Sequence, residues 1–185
     1  VQISIEKFTL IGATTRLGLL SRPLRDRFGI PLQLSFYEPE DLMKIIILNS
    51  QKLKFQISED SAYEIAKRSR GTPRIAIRLL KRIIDFSIVK EEDKIDLKSA
   101  KESLKKMKID SEGLDEMDRK YMNCIAYDFH GGPVGIETLS AALLEHKDII
   151  EDVIEPYLMQ RGLVQRTSRG RILSQKGLEH IKQQL

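Results

Sequence analysis

The sequence predicts a mainly α-helical protein built in three parts. Residues 1–37 have the short apolar runs and turn residues that are typical of β structure. From residue 38 to 109, apolar residues recur at helical spacing. Between residues 110 and 185, further helical stretches end in a hairpin signal. We therefore expect three segments with these boundaries.

Composition limits the class of protein. The chain has 185 residues, of which 41% are hydrophobic and 31% charged, so it can form packed cores and is not disordered throughout. No apolar stretch approaches the roughly 20 residues that a membrane-spanning helix needs, so we expect no membrane partner. The single cysteine, Cys124, excludes an internal disulfide and predicts a reducing, cytoplasmic compartment. The chain starts with Val1 and has no secretory signal pattern.

Positive charge is concentrated in two zones, although the net charge is only +4. Residues 65–84 contain seven basic residues and no acid, and residues 161–176 contain five and no acid. The charged residues between positions 110 and 155, by contrast, are mostly acidic. The two zones indicate two separate anionic partners, and the alternative is that they are solvated helix faces.

The first segment, residues 1–37, contains two strand candidates. Phe8–Gly12 is an apolar run that ends at glycine, and Leu32, Leu34 and Phe36 alternate with polar residues. Two strands that nothing covers do not form an independent domain. We therefore interpret this segment as the last strands of a larger α/β domain.

Residues 38–109 predict a bundle of four helices with short connections. Ser58 is a candidate N-cap and Gly71 a candidate helix stop. Thr72 and Pro73 then form a second start signal, with threonine at the cap and proline at the first helical position. The four predicted helices run from Glu40 to Leu53, from Ser58 to Arg70, from Thr72 through Phe86, and from Leu97 to Met107.

Residues 110–185 predict a winged-helix arrangement, which is three helices followed by a β-hairpin. The helices are expected at Asp115–Tyr127, Glu137–Leu144 and Asp148–Gln160, the last bent at Pro156. The hairpin strands are expected at 163–167 and 171–173, joined by three residues that include Gly170.

Three groups of arginines are candidate binding sites for phosphate. Arg74 lies in the first turn of a predicted helix, where unpaired N–H groups and the helix dipole favour anions. Arg25 and Arg27 lie on a turn from which an arginine can reach a neighbouring subunit's phosphates. Arg166, Arg169 and Arg171 surround the predicted hairpin turn and suit contacts to nucleic acid phosphates or insertion into the minor groove.

Each of these groups also has an ordinary structural interpretation. The alternative for Arg74 is an ordinary capped helix with surface arginines, and the alternative for Arg166, Arg169 and Arg171 is a solubilising turn. Asp26 can hold the second group locally by pairing with Arg22 or Lys7.

The sequence shows no metal site and no self-contained active site. His130, His146 and His180 lack the spacing of metal ligands. Cys124 lies in a predicted helix beside Ile125, which favours a core position over a catalytic one.

Seven segments, in order along almost the whole chain, resemble the RuvB family, bacterial AAA+ motors that drive branch migration of Holliday junctions. A single segment would be weak, but seven in the family's order are highly specific. They are Phe8–Arg16, Pro23–Gly29, Arg68–Ala76, Gly131–Gly135, Ile150–Val153, Glu155–Leu158 and Arg166–Arg171.

The resemblance assigns roles to the candidate residues. Thr14 and Thr15 correspond to the sensor 1 turn, and Arg27, with Arg25 nearby, to an arginine finger for the adjacent subunit's ATP. Tyr37 corresponds to a nucleotide-contacting tyrosine and Arg74 to sensor 2. Arg166 and Arg171 correspond to the arginines of the family's wing that contact DNA. Lys147 stands where the family more often has a DNA-contacting arginine. Ser168 and Ile77 also depart from the family pattern, which usually has proline and asparagine there.

The resemblance further implies a fold, a reaction and partners. The three segments become the end of an AAA+ ATPase domain, a helical lid and a winged-helix domain. The working form would be a homo-hexamer that hydrolyses ATP with Mg²⁺, moves duplex or Holliday junction DNA, and is loaded by RuvA. This chain has no Gly-x-x-x-x-Gly-Lys-Ser/Thr loop and no apolar run that ends in Asp-Glu. We therefore expect the 185 residues to be a C-terminal part that does not turn over ATP alone.

Two other classes of protein stay open at this point. One is a non-enzymatic winged-helix DNA-binding module, such as a transcription regulator, although no ligand pocket or dimerisation helix is evident. The other is an AAA+ relative of the initiator or clamp-loader type, which would share the lid but not the Gly131–Gly135 and Arg166–Arg171 segments.

Overall fold

The computed structural model describes residues 6–14 and 17–183. The chain forms two compact units that divide between Ser35 and Phe36. No helix in the described ranges is both long enough and apolar enough to cross a membrane.

The first unit contains little regular structure. A 3₁₀ turn, Leu17–Leu19, is followed by the four-residue helix α1, Arg22–Arg25, which has proline in its first turn. The two predicted strands are wrong: neither Phe8–Gly12 nor the segment around Leu32 pairs with another strand within the described residues. Side chains such as Ile11 and Leu32 are more than 80% exposed. An apolar run becomes a strand only when it finds a partner and a covering layer.

Residues 38–109, all described, form the predicted four helices. They are α2 (Pro39–Lys52), α3 (Glu59–Lys67), α4 (Pro73–Val89) and α5 (Leu97–Lys106). Two-residue strands β1 (Gln56–Ile57) and β2 (Lys94–Ile95) pair in parallel beside them. The sequence analysis missed this pair because two residues show no periodicity. The core is fully buried and apolar, and includes Leu42, Ile46, Ile65, Leu80, Ile83 and Leu104.

The helix starts follow the predicted capping signals closely. Ser58, a predicted N-cap, accepts a hydrogen bond through Oγ from the Ser61 N–H at 3.3 Å. Asp96, which was not predicted as a cap, begins α5 by accepting one through Oδ1 from the Ser99 N–H at 2.7 Å. Thr72 is the N-cap of α4, but its hydroxyl donates to the Arg70 carbonyl at 3.1 Å instead of capping the helix.

Residues 110–183 form a winged-helix arrangement. Helix α6 (Glu116–Asn123) continues as a π-helical turn at Cys124–Asp128, and α7 is Ile136–Leu143. A continuous helical stretch follows, made of α8 (Lys147–Ile149), a π-helical turn at Ile150–Ile154 and α9 (Glu155–Gln160). Pro156, where we expected a bend, lies in the first turn of α9, directly after this π-helical turn. The hairpin of β3 (Val164–Thr167) and β4 (Gly170–Leu173) is followed by α10 (Gln175–Lys182).

Two details of this domain differ from the prediction. Because Thr167 pairs with Gly170, the hairpin turn has two residues, Ser168 and Arg169, rather than three. Helix α10 was missed, although Ser174 caps it by accepting a hydrogen bond from the Gly177 N–H at 3.0 Å. Val134 extends the hairpin with an antiparallel bridge to Arg171.

Candidate functional site

The candidate residues of the first unit are solvent-exposed. Arg25 ends α1 and Arg27 follows two residues later, and both are exposed. Neither guanidinium makes an ion pair with any residue in 6–14 or 17–183, and Asp26 pairs with neither Arg22 nor Lys7 there. The local pairing that the sequence left open is therefore not observed in the described chain. Thr14 is exposed, whereas Thr15 lies outside the described residues.

The turn before α4 brings Tyr37 close to the start of the helix that carries Arg74. The Tyr37 N–H donates a hydrogen bond to the Gly71 carbonyl at 2.9 Å, and the Tyr37 side chain is half-exposed. Gly71 is in the left-handed region, with φ +64°, and a Cβ there would lie 2.6 Å from the Cβ of Phe36. Glycine therefore permits both the turn and its close approach to the chain at Phe36.

Arg74 is the second residue of α4 and is exposed. Its guanidinium has no hydrogen-bond or ion-pair partner among the residues that the structure describes, and the first turn of α4 contains no acid. A helix N-terminus with a free guanidinium and no neighbouring carboxylate is suited to phosphate. The backbone contact to Gly71 thus holds Tyr37 beside the turn that precedes α4, the helix that carries Arg74.

The tip of the hairpin presents one free arginine. Arg169 lies in the two-residue turn and is exposed, and its guanidinium has no partner within residues 6–14 and 17–183. Thr167 closes the turn, since its hydroxyl donates to the Gly170 carbonyl at 2.8 Å and accepts a bond from the Arg169 N–H at 3.3 Å. Arg169 therefore projects from a well-defined turn.

Arg171 does not project as expected. It is 7% exposed, and its Nε donates to Glu155 Oε1 at 2.8 Å while its Nη2 donates to Glu151 Oε1 at 2.6 Å. Because both bonds satisfy the guanidinium inside the domain, the expectation that Arg171 projects from the hairpin is wrong, whereas its contact with DNA stays a prediction. Arg171 instead fixes the hairpin against the π-helical turn and α9.

Glu155 is the centre of this buried cluster. It is fully buried, and its Oε1 also accepts a hydrogen bond from the Tyr121 hydroxyl at 2.9 Å. Its other oxygen accepts one from Arg166 Nη2. Burial raises the pKa of Glu155, but the hydrogen bonds from Arg171, Arg166 and Tyr121 outweigh burial, so the pKa lies below its ordinary value.

Arg166 faces Arg171 across the hairpin, and its side chain is 43% exposed. Its Nη2 binds Glu155 and lies 3.6 Å from Glu151 Oε1, while the side chain as a whole remains partly exposed. Sequence reasoning missed the two glutamates that hold these arginines. A signal was present, because Glu151 and Glu155 are four residues apart in a stretch that also contains Ile150 and Ile154.

Lys147, the first residue of α8, forms an ion pair with Glu137 in which both side chains are largely exposed. Such a surface pair is weak and exchangeable. The residues that follow Lys147 are mostly acidic or apolar, and include Asp148, Glu151 and Asp152.

Cys124 is in the core of the winged-helix domain, as predicted, and is 6% exposed. Burial and the neighbouring Asp128 raise the pKa of its thiol to about 11, so it is protonated and unreactive at neutral pH. Within the described ranges, no group of three or more His, Cys, Asp or Glu side chains is arranged to hold a metal ion.

The fold and these sites define a class of protein, in which an AAA+-type helical lid precedes a winged-helix domain. Three family profiles match successive segments: the "Holliday junction DNA helicase RuvB P-loop domain" at residues 1–34, the "RuvB AAA lid domain" at 37–110, and the "RuvB C-terminal winged helix domain" at 111–182. The chain belongs to the RuvB family. The matches favour this family over the initiator and clamp-loader alternatives.

Individual relatives agree with this assignment. The "Holliday junction branch migration complex subunit RuvB" of Paramagnetospirillum magneticum is 52% identical over 181 residues, which are 98% of this chain and 52% of that protein. The structure of the Thermotoga maritima "RuvB Holliday junction branch migration motor" has a TM-score of 0.88 at 48% identity, over 96% of this chain and 60% of that one. A variant of the same Thermotoga protein aligns with a TM-score of 0.89. The chain thus spans about half the length of the curated relative.

Proposed function

We propose that this chain is part of an ATP-dependent DNA motor that drives branch migration of Holliday junctions in homologous recombination and repair. The observation that carries the proposal is the consecutive match of three RuvB profiles to residues 1–34, 37–110 and 111–182. The exposed arginines at the candidate positions support it, because guanidinium groups bind phosphate oxygens through a planar fork of donors.

For the nucleotide, Arg27, with Arg25 beside it, acts on the ATP of the adjacent subunit, where an arginine stabilises the charge of the transferring phosphoryl group. Tyr37 and Arg74 contact the nucleotide of their own subunit, and Thr14 and Thr15 form the sensor 1 turn. Hydrolysis of ATP supplies the free energy for movement along DNA. Among the described residues no group of carboxylates is arranged to hold Mg²⁺, and the sequence contains no phosphate-binding loop.

For DNA, Arg169, Arg166 and Lys147 contact the phosphate backbone. Arg169 is free, Arg166 is partly free, and Lys147 must leave Glu137. Arg171 acts indirectly, because it holds the hairpin in place.

The assembly that fits this function is a homo-hexamer in the cytoplasm that is loaded on Holliday junctions by RuvA. The 185 residues alone hydrolyse no ATP, because their sequence contains no phosphate-binding Gly-x-x-x-x-Gly-Lys-Ser/Thr loop.

The test of the nucleotide proposal uses the full-length protein that contains this segment. Arg27→Ala should reduce ATP hydrolysis by about 10³-fold or more, the scale of an arginine supplied in trans. Mixing Arg27→Ala subunits with subunits that cannot bind ATP should restore part of the activity, because an Arg27→Ala subunit can bind ATP and gains an arginine wherever its neighbour keeps Arg27. Arg22→Ala, at the start of the adjacent short helix α1, is the matched control. Unchanged hydrolysis by Arg27→Ala would contradict the assignment.

A further inference from the structure

Arg70 stands out in the turn before α4, because it points away from the Arg74 site and into the winged-helix domain. It lies two residues before Thr72, the N-cap of α4, and has φ +53°, a rare conformation for a residue with a side chain. Its side chain is only 14% exposed. A non-glycine residue held in this conformation indicates that surrounding contacts determine its position.

The guanidinium of Arg70 has partners on three sides, all of them in residues 110–185. Nε donates to the Gly113 carbonyl at 2.8 Å, and Nη2 binds Asp118 and lies 3.3 Å from Asp115 Oδ2. The ring of Tyr157 covers the group, with its centroid 4.8 Å from Cζ. Asp118 itself is 2% exposed, so this is a buried ion pair between residues 48 positions apart.

These partners are also fixed within the winged-helix domain. Asp115 and Asp118 form the capping box that starts α6, and Tyr157 lies in α9, the helix that carries Glu155. The Tyr157 hydroxyl donates to the Glu112 carbonyl at 2.7 Å. Arg70 therefore touches the start of one helix and the middle of another, and the second holds the hairpin arginines.

A close backbone contact lies beside this ion pair. A Cβ at Gly113, where φ is +77°, would lie 2.7 Å from the carbonyl oxygen of Arg68. Arg68 Nη1 donates to the Ile109 carbonyl at 3.1 Å. The segment before α4 and the segment before α6 thus pack backbone to backbone around Arg70.

We propose that Arg70 is a positioning residue that makes the turn before α4 and the winged-helix domain move as one body. A displacement of this turn that depends on the nucleotide would then reach the DNA-binding hairpin. The proposal rests on the proposed motor function. A short path supports it: Arg74 is four residues from Arg70, which holds α6 and Tyr157, and Tyr157 is two residues from Glu155. Energetic coupling between sites is carried by such contiguous packed groups when one element has two positions.

The first experiment measures the coupling geometry without ATP or DNA. Spin labels at Lys81→Cys on α4 and Ser168→Cys at the hairpin tip report the distance between the two domains, and buried Cys124 does not compete for the label. We expect a narrow distance distribution in the parent chain and a broadened or displaced one in Arg70→Met. Arg82→Met, whose residue makes only an exposed pair with Asp85 within the described residues, should match the parent. An Arg70→Met distribution identical to that of the parent would overturn the proposal.

The second experiment measures the motor, in the full-length protein. Arg70→Met should keep ATP hydrolysis and DNA affinity close to the parent values, but reduce branch migration per ATP consumed by roughly five- to tenfold, the usual range of a coupling effect. A residue with only a structural role would lower all three together. Arg70→Lys, which keeps the charge but loses the fork, should give an intermediate ratio.

Asp118→Asn removes the negative charge of the same ion pair from the other side, while its amide oxygen can still accept the Asp115 N–H bond. The double variant with Arg70→Met should be no worse than the worse single variant, because both remove one interaction. Additive effects would contradict a shared role. The two proposals can fail separately: an inactive parent protein would refute the motor function, whereas an active parent with fully coupled Arg70→Met would refute the role of Arg70.

Discussion

At the residue scale, the buried carboxylate of Glu155 organises the hairpin. It accepts hydrogen bonds from Tyr121, Arg166 and Arg171, and the last two are in opposite positions of the hairpin. A buried carboxylate is tolerated only when its charge and lone pairs are satisfied in this way. The positions of Arg166 and Arg171 in the hairpin thus depend on one acidic residue, Glu155.

Glu155→Gln should destabilise the chain by about 3 kcal/mol, because it removes the buried carboxylate charge that faces Arg166 and Arg171 and leaves Arg171 paired with Glu151 alone. Urea denaturation followed by circular dichroism gives the free energy of unfolding. Glu137→Gln, which breaks the exposed pair with Lys147, is the matched control and should cost less than about 1 kcal/mol. Equal effects of the two substitutions would show that the Glu155 cluster is not a stabilising unit.

The raised pKa of Asp118 predicts that the free energy of unfolding depends on pH in a specific way. Burial raises its pKa to about 6, although the charge of Arg70 lowers it. Between about pH 4 and pH 6 the folded chain keeps a proton on Asp118 that the unfolded chain has released, so this residue's contribution to stability falls as pH rises.

The measurement compares the parent chain with Asp118→Asn, since other carboxylates affect both proteins alike. The free energy of unfolding of the parent, relative to the variant, should fall by about 3 kcal/mol from about pH 4 to about pH 6, which corresponds to roughly two pKa units. A relative stability that is flat or rises over this range would contradict the raised pKa.

At the element scale, the sequence predicted helices well where local signals were strong. Ser58, Asp115 and Pro73 lie at the observed helix starts, because caps act over three or four residues and are readable locally. The strands at Phe8–Gly12 and around Leu32 failed, because a strand depends on a partner that the local pattern does not contain. Helix α10 was overlooked although Ser174 provides the same kind of cap signal.

The turn at Gly71 is sensitive to the addition of a single methyl group. Gly71→Ala places a Cβ 2.6 Å from Phe36 in a left-handed conformation, so it should lower stability by about 1–3 kcal/mol. Thermal denaturation tests this. The control is Gly135→Ala, where φ is −73° and no atom lies within 4 Å of the added Cβ, so only the cap preference, less than about 1 kcal/mol, is lost. A Gly71→Ala melting curve equal to that of the control would show that the turn can relax.

At the scale of the whole molecule, the sequence indicated which residues are charged but not which charges are free. Arg70, Arg74, Arg169 and Arg171 all belong to the two basic zones. Arg70 and Arg171 are held by buried carboxylates 48 and 16 residues away, whereas Arg74 and Arg169 have no partner among the described residues. Such pairings follow from tertiary packing, which no local pattern contains.

The exposed arginines of the hairpin, Arg166 and Arg169, should contribute more to DNA binding by the 185-residue chain than the buried Arg171 does. Arg166→Ala combined with Arg169→Ala should weaken binding to all duplex sequences alike and reduce the slope of log K against log salt by about two, since each lost phosphate contact removes about 0.9. Arg171→Lys should lower the melting temperature because the fork to Glu155 and Glu151 is lost, and leave the salt slope unchanged.

Lys52→Ala, at the end of α2, is the control for a general loss of positive charge and should affect neither property strongly. Fluorescence anisotropy with labelled duplex at several salt concentrations gives both the affinity and the slope. Should Arg171→Lys change the slope as much as the double substitution, Arg171 must leave its carboxylates to bind phosphate. DNA binding would then reverse the burial of Arg171 that is seen in the free chain. Glu155 would compete with DNA for Arg166 and Arg171, the two arginines that it binds.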